Sequence, residues 1–202
     1  AEGYKLSDAL EERIEAIILD QTEVVPSPQG EKVGFTSELS TAVDDYVSFA
    51  MDSIHCDLKG LKIAMDCANG ASFETSPKAV RKLGAELLVI SNDPDGLNIN
   101  RNCGSTHLEM LKNYTVDNGC DVGLAFDGDA DRVLAVDEEG NIVDGDKIMA
   151  IIGLSLKNKG LLKDHTIVAT VMSNLGFDVM AKENDLHIIK ASVGDRYVLE
   201  KM

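Results

Sequence analysis

Apolar positions recur along the chain at two periods, and the change from one to the other lays out the elements. Residues 6–19 carry Leu6, Leu10, Ile14, Ile17 and Ile18 at the three-and-four spacing of an amphipathic helix. Residues 24–34 hold Pro26, Pro28, Gly30 and Gly34 and predict a connecting segment. Residues 36–54 return to helical spacing, with Leu39, Val43, Tyr46, Val47, Ala50 and Ile54 on one side. From Leu61 the texture becomes alternating strand and helix: a strand at 61–66, a helix around Pro77 to Leu83, and a strand at 85–90. Pro77 suits a first helical turn, where its missing N–H is an orphan anyway. Such a βαβ unit implies parallel strands and a right-handed crossover.

A polar loop fills 92–105, a length that points to function when a loop has no structure of its own. Thr106 and Glu109 have capping-box spacing, which predicts a helix from 106 with Leu108, Leu111 and Val116 inward. His107 reads as a surface residue of that first turn. The apolar runs 122–126 and 133–136 predict strands, with a turn at 137–141 and a returning strand at 142–143. Asp144 reads as the cap of a helix running to 156. A strand at 166–171, a helix at 174–183 and a strand at 186–190 repeat the βαβ pattern, and 195–202 predicts a helix with Tyr197, Val198 and Met202 on one side.

The expected fold is therefore α/β: a mixed, mostly parallel sheet with helices on both faces, built from repeated βαβ units. The cluster Lys157, Lys159 and Gly160 marks a boundary near 155–163. Residues 1–155 are expected to form one α/β domain carrying the acidic loop described next. Residues 156–202 are expected to be the truncated start of a second, because two strands are too few to close a core.

Chemistry concentrates in Asp127-Gly128-Asp129-Ala130-Asp131-Arg132, between the predicted strands 122–126 and 133–136. In an extended loop, side chains two apart point the same way, so the three carboxylates converge. Converging carboxylates repel unless something positive sits among them, and hard oxygen ligands suit a hard divalent cation such as Mg²⁺. Gly128 and Ala130 are expected to leave the loop's outer side bare for an anionic ligand. A second reading is a Ca²⁺-binding interaction module, with Asp127, Asp129, Asp131 and Glu138 at EF-hand positions 1, 3, 5 and 12. Arg132 stands where that loop needs a glycine, and a strand rather than a helix follows. A third is a phosphatase with Asp127 as nucleophile, which needs a lysine and a Thr/Ser loop that the sequence does not place.

The net charge of −16 argues against nucleic acid and anionic membranes as partners. It also means that a phosphorylated ligand needs a metal ion or local arginines to enter. A hydrophobic content of 44% and a charged content of 27% fit a globular chain with no run long enough to span a bilayer. Cys56, Cys67, Cys103 and Cys120 lack C-x-x-C spacing, which argues for reduced thiols and a cytoplasmic location.

The acidic loop resembles the metal-binding loop of the α-D-phosphohexomutases, most often written D-G-D-G-D-R. Four more stretches are similar to the phosphoglucosamine mutase branch of that superfamily. They are Asp66-Cys67-Ala68-Asn69-Gly70-Ala71, Pro94-Asp95-Gly96-Leu97-Asn98-Ile99-Asn100, Cys103-Gly104-Ser105-Thr106-His107 and Val193-Gly194-Asp195-Arg196-Tyr197-Val198. The resemblance implies a four-domain enzyme of which this chain is the second domain and the beginning of the third. It implies Mg²⁺ held by Asp127, Asp129 and Asp131 together with a phosphoserine from the first domain, and an active-site role for Arg132 near that phosphoserine. Arg132 has two readings, a fork of donors to the phosphoryl group or a salt bridge that orders the aspartates. The candidate substrate-binding residues are Asn174, Asp195 and Arg196. The last two read equally as a helix cap and a solvated charge.

The implied substrate is a phosphorylated hexosamine, whose phosphoryl group moves between the 6- and 1-positions. The implied partners are the missing domains of the same parent chain. These 202 residues contain no Ser-His-Asn-Pro-like loop, no sugar-recognition loop after Met202 and no Arg-rich phosphate loop, so the isolated chain is expected to be inactive. Ser192 stands where a lysine is common in the family, which leaves the general acid or base unassigned.

Overall fold

Five strands form a sheet of order β2-β1-β3-β4-β5: β1 (Lys62–Asp66), β2 (Glu86–Ile90), β3 (Val122–Phe126), β4 (Val133–Asp137) and β5 (Ile142–Val143). The computed structural model describes residues 5–23 and 25–202, so Val24 of the expected connecting segment lies outside it. β1 pairs in parallel with β2, from Lys62↔Glu86 to Asp66↔Ile90, and with β3, from Ile63↔Val122 to Asp66↔Ala125. A crossover helix, α3 (Thr75–Lys82), separates β1 from β2, as parallel pairing requires. Only the acidic loop separates β3 from β4, so that pair is antiparallel, and β5 continues the antiparallel edge.

Ile63, Ala64, Met65 and Asp66 of β1 are all buried, the signature of a strand covered on both faces. On one face α4 (Glu109–Asp117) lays Leu111 into a core of Ala64, Leu108, Cys120, Ala125 and Val136. Gly123 permits this close approach, since a Cβ there would sit 2.4 Å from the Thr115 hydroxyl oxygen. The described residues form two compact units. Residues 39–161 comprise the five-stranded sheet, α2 (Ala42–Asp52), α3, α4 and α5 (Gly145–Asn158). Residues 5–38 and 162–202 comprise α1 (Asp8–Leu19), β6 (Thr166–Thr170), α6 (Leu175–Glu183), β7 (His187–Ala191) and α7 (Asp195–Leu199). There β6 and β7 pair in parallel, Phe177 and Ala181 of α6 are buried, and Arg196 of α7 forms an ion pair with Asp8 of α1.

Three local expectations are corrected. The helix expected over 36–54 begins only at Ala42, and Phe35 and Leu39 are exposed. Neither of these apolar side chains is buried there, and Ser37, Ser40 and Thr41 favour non-helical backbone. The Thr106–Glu109 capping box does not form: Thr106 Oγ1 lies 3.0 Å from His107 Nδ1, and α4 opens at Glu109 with Leu108 as its N-cap residue. Val116 is 46% exposed, and the inward position belongs to Thr115, whose hydroxyl donates to the Leu111 carbonyl at 2.8 Å. Asp144 does cap α5, accepting from the Lys147 N–H at 3.0 Å.

Candidate metal centre

Residues 127–132 are the hairpin turn between β3 and β4, whose last pair is Phe126↔Val133. The turn is pinched at its base, where the Asp127 N–H donates to the Arg132 carbonyl at 3.3 Å and the Arg132 N–H donates to Asp127 Oδ1 at 3.0 Å. Inside it the Ala130 N–H donates to the Asp127 carbonyl at 3.1 Å, and Ala130 takes a left-handed φ of 62°. One carboxylate oxygen from each of Asp127, Asp129 and Asp131 lies within 4.8 Å of the others. The carboxylates thus gather because the chain folds tightly, and the extended alternation expected from the sequence is not what gathers them.

Gly128 is corrected as well. It is buried, and a Cβ on it would sit 2.6 Å from Asn100 Nδ2 and 2.8 Å from Ile99 Cδ1. On its other side a Cβ on Gly70 would sit 2.2 Å from the Gly128 carbonyl oxygen, which accepts from the Ala71 N–H at 2.8 Å. Gly128 therefore serves internal packing between two loops, so its bareness is not offered to a ligand.

Asp127 is 2% exposed, whereas Asp129 and Asp131 face solvent. The Arg132 guanidinium donates to Asp127 Oδ2 at 2.6 Å and reaches Asp131 Oδ1 at 3.4 Å. Burial pushes the Asp127 carboxyl up, but the Arg132 backbone N–H and guanidinium outweigh it and hold the group below the usual carboxylate range. The same pairing holds the Arg132 guanidinium above its ordinary value. In the structure Arg132 thus makes the ordering salt bridge, with its side chain still 71% exposed.

The donor set fits a hard divalent cation. Each Asp127 oxygen already accepts a bond from Arg132, yet a carboxylate oxygen keeps a second lone-pair direction. Mg²⁺ holds oxygens at about 2.1 Å in an octahedron, so its ligands stand about 3.0 Å apart at right angles and about 4.2 Å apart across the ion; oxygens gathered within 4.8 Å reach that geometry by side-chain rotation. Two carboxylates at such separations repel by about 1 kcal/mol in bulk water and about 3–4 kcal/mol near a protein surface, which one arginine offsets in part.

The remaining candidates lie elsewhere. Glu138 sits in the β4–β5 turn, separated from Asp131 by the length of β4, roughly 17 Å at the usual rise per residue. It is not brought to the cluster. Asn174, Asp195 and Arg196 belong to the other compact unit. Asn174 caps α6, accepting from the Phe177 N–H at 3.2 Å. Asp195 lies 3.6 Å from Lys5, and Arg196 pairs with Glu200 at 3.1 Å and with Asp8.

Residue patterns of known families match both parts of the chain. The pattern described as phosphoglucomutase/phosphomannomutase, alpha/beta/alpha domain II, matches residues 43–140, and the domain III pattern of the same family matches residues 144–202. The chain belongs to this family. Within the phosphoglucomutase/phosphomannomutase family it is 62% identical over 202 residues to a phosphoglucosamine mutase of Acetivibrio thermocellus, covering 100% of this chain and 45% of that one. It is 60% identical over 200 residues to a phosphoglucosamine mutase of Clostridium novyi, covering 99% and 44%. The chain thus spans a little under half the length of these relatives. A crystal structure of a phosphoglucomutase/phosphomannomutase family protein from Burkholderia thailandensis shares the fold, with a TM-score of 0.77 at 20% identity over 98% of this chain and 41% of that one.

Four of the five family-like stretches meet in one place. The Asn100 N–H donates to the Ala68 carbonyl at 2.9 Å, Gly104 N–H to Asp66 Oδ2 at 2.8 Å, Ser105 N–H to the Phe126 carbonyl at 2.9 Å, and Ala71 N–H to the Gly128 carbonyl. Reasoning from the sequence singled out none of Asp66, Gly70 or Asn100 individually. The available signal was an acidic residue closing a buried apolar strand.

Proposed function

We propose that this chain is the metal-bearing part of a phosphosugar mutase resembling phosphoglucosamine mutase, which moves a phosphoryl group between the 6- and 1-positions of a hexosamine phosphate. The observation that carries this reading is the gathering of Asp127, Asp129 and Asp131 oxygens within 4.8 Å, on a hairpin fixed at the carboxyl end of β3. Open α/β sheets hold their ligands at that end of the strands. Mg²⁺ bound by these three carboxylates would supply Lewis-acid neutralisation of phosphoryl charge. The chain's own part is to hold that centre rigid. Arg132 fixes the Asp127 carboxylate in one orientation from both sides, so the buried ligand costs no reorganisation. The exposed remainder of its guanidinium offers further N–H donors to a phosphoryl oxygen.

In this proposal Asn174, Asp195 and Arg196 contact the substrate, residues 1–155 and 156–202 follow the domain division of the parent, and the protein works in the cytoplasm. The phosphoryl donor and the sugar-recognition groups come from the parent's other domains, so the chain by itself turns nothing over. The Ca²⁺ module draws no support from the position of Glu138. Calorimetry of the 202-residue chain tests the reading. It should show weak Mg²⁺ binding that Asp129→Asn reduces and Glu138→Gln leaves unchanged, and no mutase turnover. Ca²⁺ binding orders of magnitude tighter than Mg²⁺ and lost in Glu138→Gln, or turnover by these residues alone, would overturn it.

A further inference from the structure

Asp66 is a fully buried carboxylate at the end of the central strand, and it lies outside the acidic loop. Its two oxygens serve two different loops. Oδ1 accepts the Ala68 N–H at 2.9 Å, and Oδ2 accepts the Gly104 N–H at 2.8 Å. The first loop turns through two consecutive left-handed residues, Ala68 (φ 54°) and Asn69 (φ 48°), a conformation that side chains resist. The second also needs a left-handed residue, Gly104 (φ 75°), where a Cβ would sit 2.6 Å from the Phe126 carbonyl oxygen and 2.7 Å from Ala68 Cβ. The two loops also bond each other directly, the Asn100 N–H donating to the Ala68 carbonyl at 2.9 Å. Asp66 adds a carboxylate that accepts a backbone N–H from each of them.

These two loops are the walls of the acidic hairpin. Gly70 and Ala71 of the first abut the Gly128 carbonyl, and Ile99 and Asn100 of the second abut the Gly128 α-carbon. We propose that Asp66 is a positioning residue for the metal centre. By clamping both loops it fixes the hairpin between them and so the mutual placement of the Asp127, Asp129 and Asp131 carboxylates. A buried polar side chain is costly unless its hydrogen bonds are made, and an apolar one would fill the same space, so packing alone does not account for it. What only a carboxylate supplies is two acceptors for two N–H groups. The inference rests on the metal reading above.

Asp66→Asn separates this role from simple scaffolding. The amide matches the carboxylate in shape but has one acceptor, and its NH₂ must face a backbone N–H. One loop then loses its bond to residue 66 whichever way the amide turns. Titration of the 202-residue chain with Mn²⁺, followed by the electron spin resonance of the free ion, should show affinity about tenfold weaker in Asp66→Asn, the scale on which supporting partners of metal ligands act. Val47→Ala, a truncation of a buried residue in α2, the helix that packs against α3, supplies the control for lost stability and should leave Mn²⁺ affinity unchanged. Should Asp66→Asn not fold, Asn100→Gly reads the same coupling from the other end. Glycine accepts the φ of 56° at that position while removing the side chain that abuts Gly128, and affinity should again fall. Wild-type affinity in folded Asp66→Asn, an equal loss in Val47→Ala, or an unchanged Asn100→Gly where that variant decides would overturn the inference while leaving the metal reading intact. No Mn²⁺ binding by the wild-type chain would overturn both.

Discussion

Replacing Gly70 by alanine adds one methyl group at the closest contact of the acidic hairpin. Gly70 does not occupy the left-handed region, so alanine brings no backbone strain and the effect is that of the added carbon alone. That carbon would lie 2.2 Å from the Gly128 carbonyl oxygen and 2.8 Å from the Gly128 carbonyl carbon and Cα. Ordinary contact begins near 3.4 Å, so one of two backbones must move by about 1.2 Å, and neither can swing aside as a side chain would. The move also stretches the bond from the Ala71 N–H to the Gly128 carbonyl, now 2.8 Å. Overpacking of this kind costs about 1–3 kcal/mol and the weakened bond about 1 kcal/mol, so Gly70→Ala should lower stability by about 2–4 kcal/mol. Because the displaced segment carries the carboxylates, Mn²⁺ affinity should fall roughly tenfold in the folded variant. Urea unfolding monitored by circular dichroism reads the first effect, and ion titration the second. Gly145→Ala is the control: nothing lies within 4 Å of a Cβ at this first helical position, and the change should stabilise by about 0.4–1 kcal/mol by restricting the unfolded chain. A Gly70→Ala variant within 0.5 kcal/mol of wild type and with unchanged ion affinity would refute the packing argument.

Ala130 holds a φ of 62° where the family most often has glycine, so Ala130→Gly should raise stability by about 0.5–1 kcal/mol, measured as a higher urea midpoint. Leu111→Ala should cost about 2–5 kcal/mol, because the side chain is fully buried in the α4 core, and the loss should appear in urea unfolding. Among the four thiols only Cys56 is exposed, so a thiol reagent should modify one cysteine quickly in the native chain and four after unfolding. Burial pushes the Cys67 thiol up to about 11 from an ordinary value of 9.0. The folded state then keeps a proton that the unfolded state releases, so stability is full below pH 9 and declines toward pH 11 by about 2–3 kcal/mol, visible in urea midpoints taken across that range.

Local pattern carried most of the fold. The βαβ unit of β1, α3 and β2 and the hairpin of β3 and β4 follow from hydrophobic period and from connection length, and the structure pairs both as expected. The errors lie where a local preference had no tertiary support. Residues 36–41 offer only Leu39 to the apolar face of the expected helix, and it is exposed, while Thr106 bonds to its neighbour in place of the helix end. The acidic cluster was legible as a cluster, since three aspartates in five residues cannot lie far apart. How it is held was not. Gly128 and Asn100 meet across 28 positions, and Asp66 reaches Gly104 across 38, distances over which sequence spacing carries no information. Arg132 offered two roles on paper, and the one seen in the structure depends on the turn that brings its guanidinium back onto Asp127.

The central claim is that Asp127, Asp129 and Asp131 hold one divalent ion. Anomalous diffraction from crystals of the chain soaked in Mn²⁺ tests it most directly. The account predicts a single strong peak bonded to all three carboxylates and absent when Asp129 is replaced by alanine. No peak at the hairpin under saturating ion, or one bound by other residues and unchanged in that variant, would contradict it.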